Sequence, residues 1–407
     1  MTQLKKLLIP LALASGVFSQ GSDNTRSLED LLRSENETLG TLSSVLALLP
    51  DNVRSSLSQA RDVTILAPNN DAFSRFLASQ NVTSPNNATQ LDPGLVAALL
   101  QYHVLNGTHY ASNLTSGSEG IQFLATHLTN ETYANVTGGQ RVASVPSSDG
   151  QDVTFISGLK ESAKLTDRRS LNYTGGTVHV IDSVLTMPPN ATETLRAANL
   201  TAALGAIERA GLADEVNRMR DITIFVPSNE AFAAIASLAG NLTEQQLGNI
   251  LSYHVVPGQV LYSNTLRNST VQALNGGNFT VRTDTDGSVF VNQAKVIQPD
   301  VLIKNGVVHV VNGALNPDNP TATPDTTATT QAPAFTGAST VEGGAIPFTS
   351  GVETPTSTAP VATGEGRDAE GRDGDGEGEG NAAASLVSAA VAGSALFGAG
   401  LVAFINM

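Results

Sequence analysis

The chain has 407 residues, 41% of them hydrophobic, and neither cysteine nor tryptophan. That length accommodates two or three domains with apolar cores, and the missing cysteine excludes a disulfide scaffold, thiolate metal sites and a cysteine nucleophile. A net charge of −15 argues against nucleic acid as a partner and against electrostatic docking on anionic lipid.

Residues 1–20 set Lys5 and Lys6 before an apolar run from Leu7 to Phe18, with small Ala12, Ala14 and Ser19. This is the pattern of a secretory signal peptide; a short N-terminal core helix is the alternative. Leu28, Leu31 and Leu32, then Leu39, Leu42, Val45, Leu46 and Leu49, recur at helical spacing. "VTIL" is a short β-rich run ended by Pro68, and Asn69-Asn70-Asp71 offers caps to a helix that would bury Phe73 and Phe76. A helical stretch from Leu95 to Leu100 leads into Tyr102-His103-Val104.

The same series then recurs. Leu200, Leu204, Ile207, Leu212 and Val216 predict helix; "ITIF" ends at Pro227; Ser228-Asn229-Glu230 precedes Phe232 and Ile235. Leu247 to Leu251 leads into Tyr253-His254-Val255. "FTVRTD", "SVFVNQAKVI" and "VVHVVNGAL" predict strands, with a hairpin turn at Asp286-Gly287. "TILAPNNDAF" matches "TIFVPSNEAF" at six of ten positions, "LLQYHVLNG" matches "ILSYHVVPG", and "GGTVHVIDSVL" matches "NGVVHVVNGAL", in the same order. This is a duplicated α+β module, helices first and strands later.

Residues 317–364 are rich in Thr, Pro, Ser and Ala without hydrophobic period, which predicts an extended, O-glycosylated, disordered stalk. Residues 365–379 carry seven acids and two arginines and predict a solvated spacer; the acids lack the spacing of a calcium loop. From Asn381 the chain is uncharged and apolar with no basic flank, which suits a glycosylphosphatidylinositol (GPI) attachment signal, lipid joining near Asn381. A C-terminal transmembrane helix is the rival reading. Thirteen Asn-x-Ser/Thr sequons support a secretory route: Asn36, Asn81, Asn87, Asn106, Asn113, Asn130, Asn135, Asn172, Asn190, Asn199, Asn241, Asn268 and Asn278.

Four of the six histidines fall in the repeated motifs, as His103, His179, His254 and His309. A metal site needs three or four converging ligands. Each repeat offers two imidazoles, no thiol and carboxylates at no telling spacing, so the expected role is a hydrogen-bonded link between the Tyr-His segment and the late strand. No H-E-x-x-H, G-x-S-x-G or G-x-x-x-x-G-K-[ST] motif is present, and spacing alone cannot show whether any two carboxylates form a glycosidase pair.

The three ordered blocks resemble the fasciclin (FAS1) domain family over about residues 26–316. Pro68, Asn70 and Phe73, with Pro227, Asn229 and Phe232, stand in its first block; Tyr102-His103 and Tyr253-His254 in its Tyr-His block; His179 and His309 in its last. The resemblance implies two tandem FAS1 domains, 26–187 and 190–316, each a wedge-shaped β-sandwich with several α-helices. A stalk at 317–380 and a removed signal at 381–407 would follow, as in fungal and plant fasciclin-like glycoproteins. In some members of the family adhesion maps to an Asp-Ile pair and to the Tyr-His region. Here Asp300-Val301 and Tyr253-His254 are the counterparts and the adhesion candidates, with Asp300 as a residue that merely caps a turn the preferred reading. Leu165-Thr166-Asp167 is the poor candidate in the first domain. That domain holds 75 residues between its histidines against 54 in the second, an insert expected to be a glycosylated surface loop.

These readings lead to a non-enzymatic, cofactor-free, lipid-anchored cell-surface glycoprotein. It would bind cell-surface, matrix or cell-wall components, or itself, through many weak contacts. A polysaccharide- or lipid-binding wall module is the second expectation, and a secreted hydrolase or histidine-metal enzyme the third.

Overall fold

A computed structural model describes residues 26–47, 49, 51–82, 91–115, 120–326, 328 and 331–355. The expected leader at 1–20, Asn87, Asn381 and the signal at 381–407 lie outside the described residues.

The first module opens with helices α1 (Leu28–Ser34), α2 (Asn36–Ala47) and α3 (Asp51–Gln59), then strand β1 (Val63–Pro68). Helices α4 (Asn70–Ser79) and α5 (Pro93–Tyr102) start on side-chain caps from Asn69 and Asp92, which fix where each begins. Strand β2 (Val104–Asn106), helix α6 (Ala111–Thr115), and strands β3 (Gln122–Ala125), β4 (Arg141–Pro146), β5 (Val153–Ile156), β6 (Ser162–Lys164), β7 (Leu171–Tyr173) and β8 (Gly176–Ile181) complete it. One sheet runs β2-β1-β8-β7 and the other β3-β4-β5-β6.

The second module repeats this plan. Helices α7 (Ala191–Ala197), α8 (Thr201–Arg209) and α9 (Ala213–Arg218) precede β9 (Ile222–Pro227). Helices α10 (Asn229–Ala233), α11 (Ala236–Ala239) and α12 (Glu244–Ser252) follow, then β10 (Val255–Val256), β11 (Ser269–Gln272), β12 (Asn278–Thr283), β13 (Val289–Val291), β14 (Ala294–Ile303) and β15 (Gly306–Val311). Its strands join in the order β10-β9-β15-β14-β13-β12-β11. The ten-residue β14 is continuous where the first module has separate β6 and β7; its register shifts between Gln298 and Val301, so one strand serves both halves of the sandwich.

In each module an early strand pairs in parallel with the last one, which places Leu66 opposite His179 and Phe225 opposite His309. Gly176 and Gly306 begin the last strands because the neighbouring backbone comes too close for a side chain: an added Cβ would lie 1.9 Å from Val63 O and 1.8 Å from Ile222 O. The helices cover one face of this pair, burying Leu31, Leu39 and Phe73 against Ile65 and Val178, or Leu204 and Phe232 against Ile224 and Val308. The second core lies between the sheet halves, around Tyr102, Phe155 and Ile181, or Phe225, Tyr253 and Phe279.

The insert of the first module is not a free loop. It forms much of the β3–β6 sheet and meets the second module. Phe123 stacks on Tyr262 at 4.2 Å, and Gln140 Nε2 donates to Ile303 O and Lys304 O at 3.1 Å each. Leu159 joins the apolar core of the second module, and Arg220 pairs with Glu131 at 3.2 Å.

The stalk expected from 317 is corrected over 331–355, which stays on the second module as a strap. Phe335, Ile346, Phe348 and Val352 pack on its helical core. Phe348 lies edge-on to Phe232 at 6.0 Å and under the Arg209 guanidinium at 5.5 Å. Gly205 makes room for it, since a Cβ there would sit 1.8 Å from Phe348 O. Scattered aromatics without period give no sequence signal for packing, yet each burial favours the strap by about 1.5–3 kcal/mol when complete.

Candidate functional site

The Tyr-His segment closes the helix that precedes β2 or β10. His103 turns back so that Nδ1–H donates to Leu99 O at 2.8 Å, while Nε2 accepts Leu185 N–H at 2.9 Å. His254 does the same with Ile250 O at 2.8 Å and Leu315 N–H at 2.9 Å. A carbonyl can only accept and an amide N–H can only donate, so both rings are neutral Nδ1–H tautomers. Burial pushes each imidazole down to about 4. Neither ring keeps a lone pair for a metal or a proton.

The strand histidines reach elsewhere. His179 Nε2–H donates to His109 O at 2.7 Å, and His309 Nε2–H to Leu261 O at 2.8 Å. His309 Nδ1 also accepts Asp300 N–H at 3.3 Å, and its ring stacks on Phe225 at 5.4 Å. Burial lowers both rings from the usual imidazole range; the Asp300 carboxyl opposes it at His309. His103 and His254 thus join the Tyr-His segment to the chain just after the last strand, whereas His179 and His309 tie the last strand to the loop after β2 or β10. Among the described residues, no three His, Asp or Glu side chains are placed to share a metal ion.

The other repeated residues are also structural. Tyr102 Oη donates to Arg141 O at 2.9 Å and Tyr253 Oη to Asn278 O at 2.6 Å, tying each helix end to the opposite sheet half. Asn70 bridges α4 to α2, accepting Thr41 N–H and donating to Glu37 O at 2.8 Å each. Asn229 makes the matching bridge, with Ala202 N–H at 3.1 Å and Asn199 O at 2.8 Å. Pro68 and Pro227 end their strands inside the fold, and Phe73 and Phe232 fill the helical cores.

Asp300, Val301, Tyr253 and His254 are all buried, which corrects the expectation that they offer a contact surface. Asp300 sits in the bulge of β14 with φ +60, and its Oδ1 accepts Ser263 N–H at 2.7 Å. It thus fixes the loop after β10 to the bulge. The first-module equivalent is Ser170, whose Oγ accepts Ala111 N–H at 3.1 Å, and not Asp167. Both residues stand nine positions before the strand histidine, a spacing readable in the sequence. The bulge turns Ile297 outward, leaving it 52% exposed, and Tyr110 is 46% exposed in the first module. Sequence reasoning missed both.

Every described sequon asparagine except Asn135 and Asn190 is exposed. Asn190 caps α7 through its Oδ1, accepting Glu193 N–H at 2.8 Å. Asn135 lies in the contact between the modules, where Nδ2 donates to Arg218 O and Met219 O at 3.2 Å each.

The family model described as the Fasciclin domain matches residues 40–188 and 198–317. A fasciclin-like arabinogalactan protein of Arthroderma benhamiae is 35% identical over 81% of this chain and 75% of its own length. One from Phaeosphaeria nodorum is 31% identical over 72% of this chain and 90% of its own. A solved FAS1 domain pair from the insect cell adhesion molecule Fasciclin I aligns over 69% of this chain and 98% of its own, at 18% identity and a TM-score of 0.34. Two matched segments, each with its own parallel strand pair and its own set of linking histidines, make this chain a tandem FAS1 protein of the fasciclin-domain family.

Proposed function

We propose that this chain is a non-catalytic cell-surface glycoprotein whose paired FAS1 domains make adhesive contacts with cell-wall or matrix components. The observation that carries this reading is the surface itself: sequon asparagines open to solvent on both domains, from Asn36 to Asn278. The names of its fungal relatives, fasciclin-like arabinogalactan proteins, agree with it. Retention at the surface is assigned to a lipid anchor near Asn381, so a phosphatidylinositol-specific phospholipase should release the protein from intact cells.

Contact is assigned to exposed side chains around the β14 bulge. Ile297 offers an apolar surface there, and buried Asp300 holds the bulge in shape. The test compares wild type and Ile297→Asp, each displayed at equal density, for attachment to cells and wall polymers. Attachment should fall severalfold with unchanged thermal unfolding; equal attachment would remove the bulge from the contact.

A polysaccharide-binding reading draws on one feature, an open groove of about 560 Å³ lined by Thr270, Thr280, Arg282 and Asp284. Retention on a wall-polysaccharide column that survives Ile297→Asp but is lost with Arg282→Ala would favour it.

A further inference from the structure

Asn135-Val136-Thr137 is a complete glycosylation signal, yet its two working side chains are both spent on the second domain. The Asn135 Nδ2 hydrogens point to two carbonyls, Arg218 O and Met219 O, at 3.2 Å each. The Thr137 hydroxyl donates to the Asp221 carboxylate, and Thr137 N–H donates to the same group at 2.7 Å. Backbone bonds continue the contact: Asn135 N–H to Lys304 O at 2.8 Å and Asp221 N–H to Asn135 O at 3.3 Å. Asp221 is held at φ +53 and receives Arg220 Nε at 3.6 Å, so the acceptor side is itself fixed. Asn130, five residues earlier in the same segment, is exposed and turns its Oδ1 to Thr132 N–H at 2.9 Å.

We propose that Asn135 is a domain-locking residue, and that a glycan on it and the pairing of the two domains exclude one another. Sugar transfer from a lipid-linked pyrophosphate donor would form a C1–Nδ2 bond, break the C1–O bond so that the lipid pyrophosphate leaves with its electron pair, and remove one amide hydrogen as a proton. One of the two carbonyls would lose its donor, and a sugar ring would occupy the space now filled by the Arg218–Asp221 backbone. A glycan is large and must reach solvent. The sequon is therefore read by the fold as an interface motif, and its sugar, if attached before the second domain folds, would hold the domains apart.

The test uses the full chain secreted from a glycosylating host. Glycopeptide mapping of Asn135 is combined with hydrogen exchange at the amides of Asn135, Thr137 and Asp221. Asn135 should be unmodified in every population that protects these amides; a glycosylated Asn135 alongside the same protection overturns the proposal. The second arm is Asn135→Asp, which removes both donors. Losing both hydrogen bonds should speed exchange of the Thr137 and Asp221 amides by roughly tenfold or more, whereas Asn130→Gln should leave them unchanged. Unchanged protection in Asn135→Asp also overturns it. The glycopeptide arm needs no variant, so a substitution that misfolds does not spare the proposal.

Discussion

The two FAS1 domains share a frame and differ in what presses on it. In the second domain the strand histidine is bonded through both nitrogens, with Asp300 N–H at 3.3 Å on His309 Nδ1. In the first, His179 Nδ1 is buried without a hydrogen-bond partner among the described residues, and Ser170 holds the place of Asp300. Tyr262 is covered by Phe123 of the first domain, while Tyr110, the residue after the matching acceptor His109, is 46% exposed. Gly205 lies under the strap, while Ser44, equally placed three residues beyond the Asn70 bridge, is exposed. What the domains share is local linkage; what separates them is contact with another part of the chain.

The largest effect is expected where the domains are most alike. His103→Ala and His254→Ala each remove two backbone links and open a cavity, so each should lower the stability of its domain by about 3 kcal/mol in urea unfolding. The folded rings stay neutral down to about pH 4, whereas free imidazole takes a proton near 6.5. The unfolded chain thus binds more protons in this window. Stability should be full above pH 6.5 and fall as pH drops toward 4, by about 3 kcal/mol per ring. A flat profile across that window would mean that neither ring is held neutral by the fold, and a fall in one domain alone would break the equivalence of the two sites.

The next effect should appear in one domain only. Phe348→Ala strips the half-buried ring from Phe232 and Arg209. It should cost about 2 kcal/mol, less than a fully buried Phe, and expose 331–355 to protease. A transition shifted equally in both domains would show that the strap is not a private feature of the second.

The smallest contrast is at the bulge. Asp300→Ala removes the buried carboxyl that accepts Ser263 N–H and should cost about 2 kcal/mol, against about 1 kcal/mol for Ser170→Ala. Equal losses would mean that the carboxylate adds nothing to the hydroxyl.

The shared frame was legible in the sequence because its chemistry is local. A histidine that follows a helix bonds the carbonyl four residues back, as at His103 and His254. Strand pattern and turn chemistry likewise located β12, with Gly287 at φ +84 after it, but the single strand expected over 288–297 is split by a turn at Asn292-Gln293 into β13 and the start of β14, which pair with each other. The rest was set by distant partners. A turn-capping role for Asp300 is readable locally, but the amide it serves, Ser263 N–H, lies 37 residues upstream and has no local signal. The interdomain contact of Asn135 has no local signal because its carbonyl partner on Arg218 lies 83 residues downstream. The strap went unread because Phe335, Ile346 and Phe348 follow no period.

Load entering from the C-terminal side would meet the strap before the β-sandwich. A pull on residue 355 bears first on Val352, Phe348 and Ile346, which can peel off α8 and α10 one after another, while β15 stays paired on both edges. Releasing residues 317–355, about 40 in number, would pay out roughly 130 Å of slack at about 3.4 Å per residue before tension reached β15. Contacts broken one side chain at a time would yield in small steps, ahead of the paired strands of the sandwich.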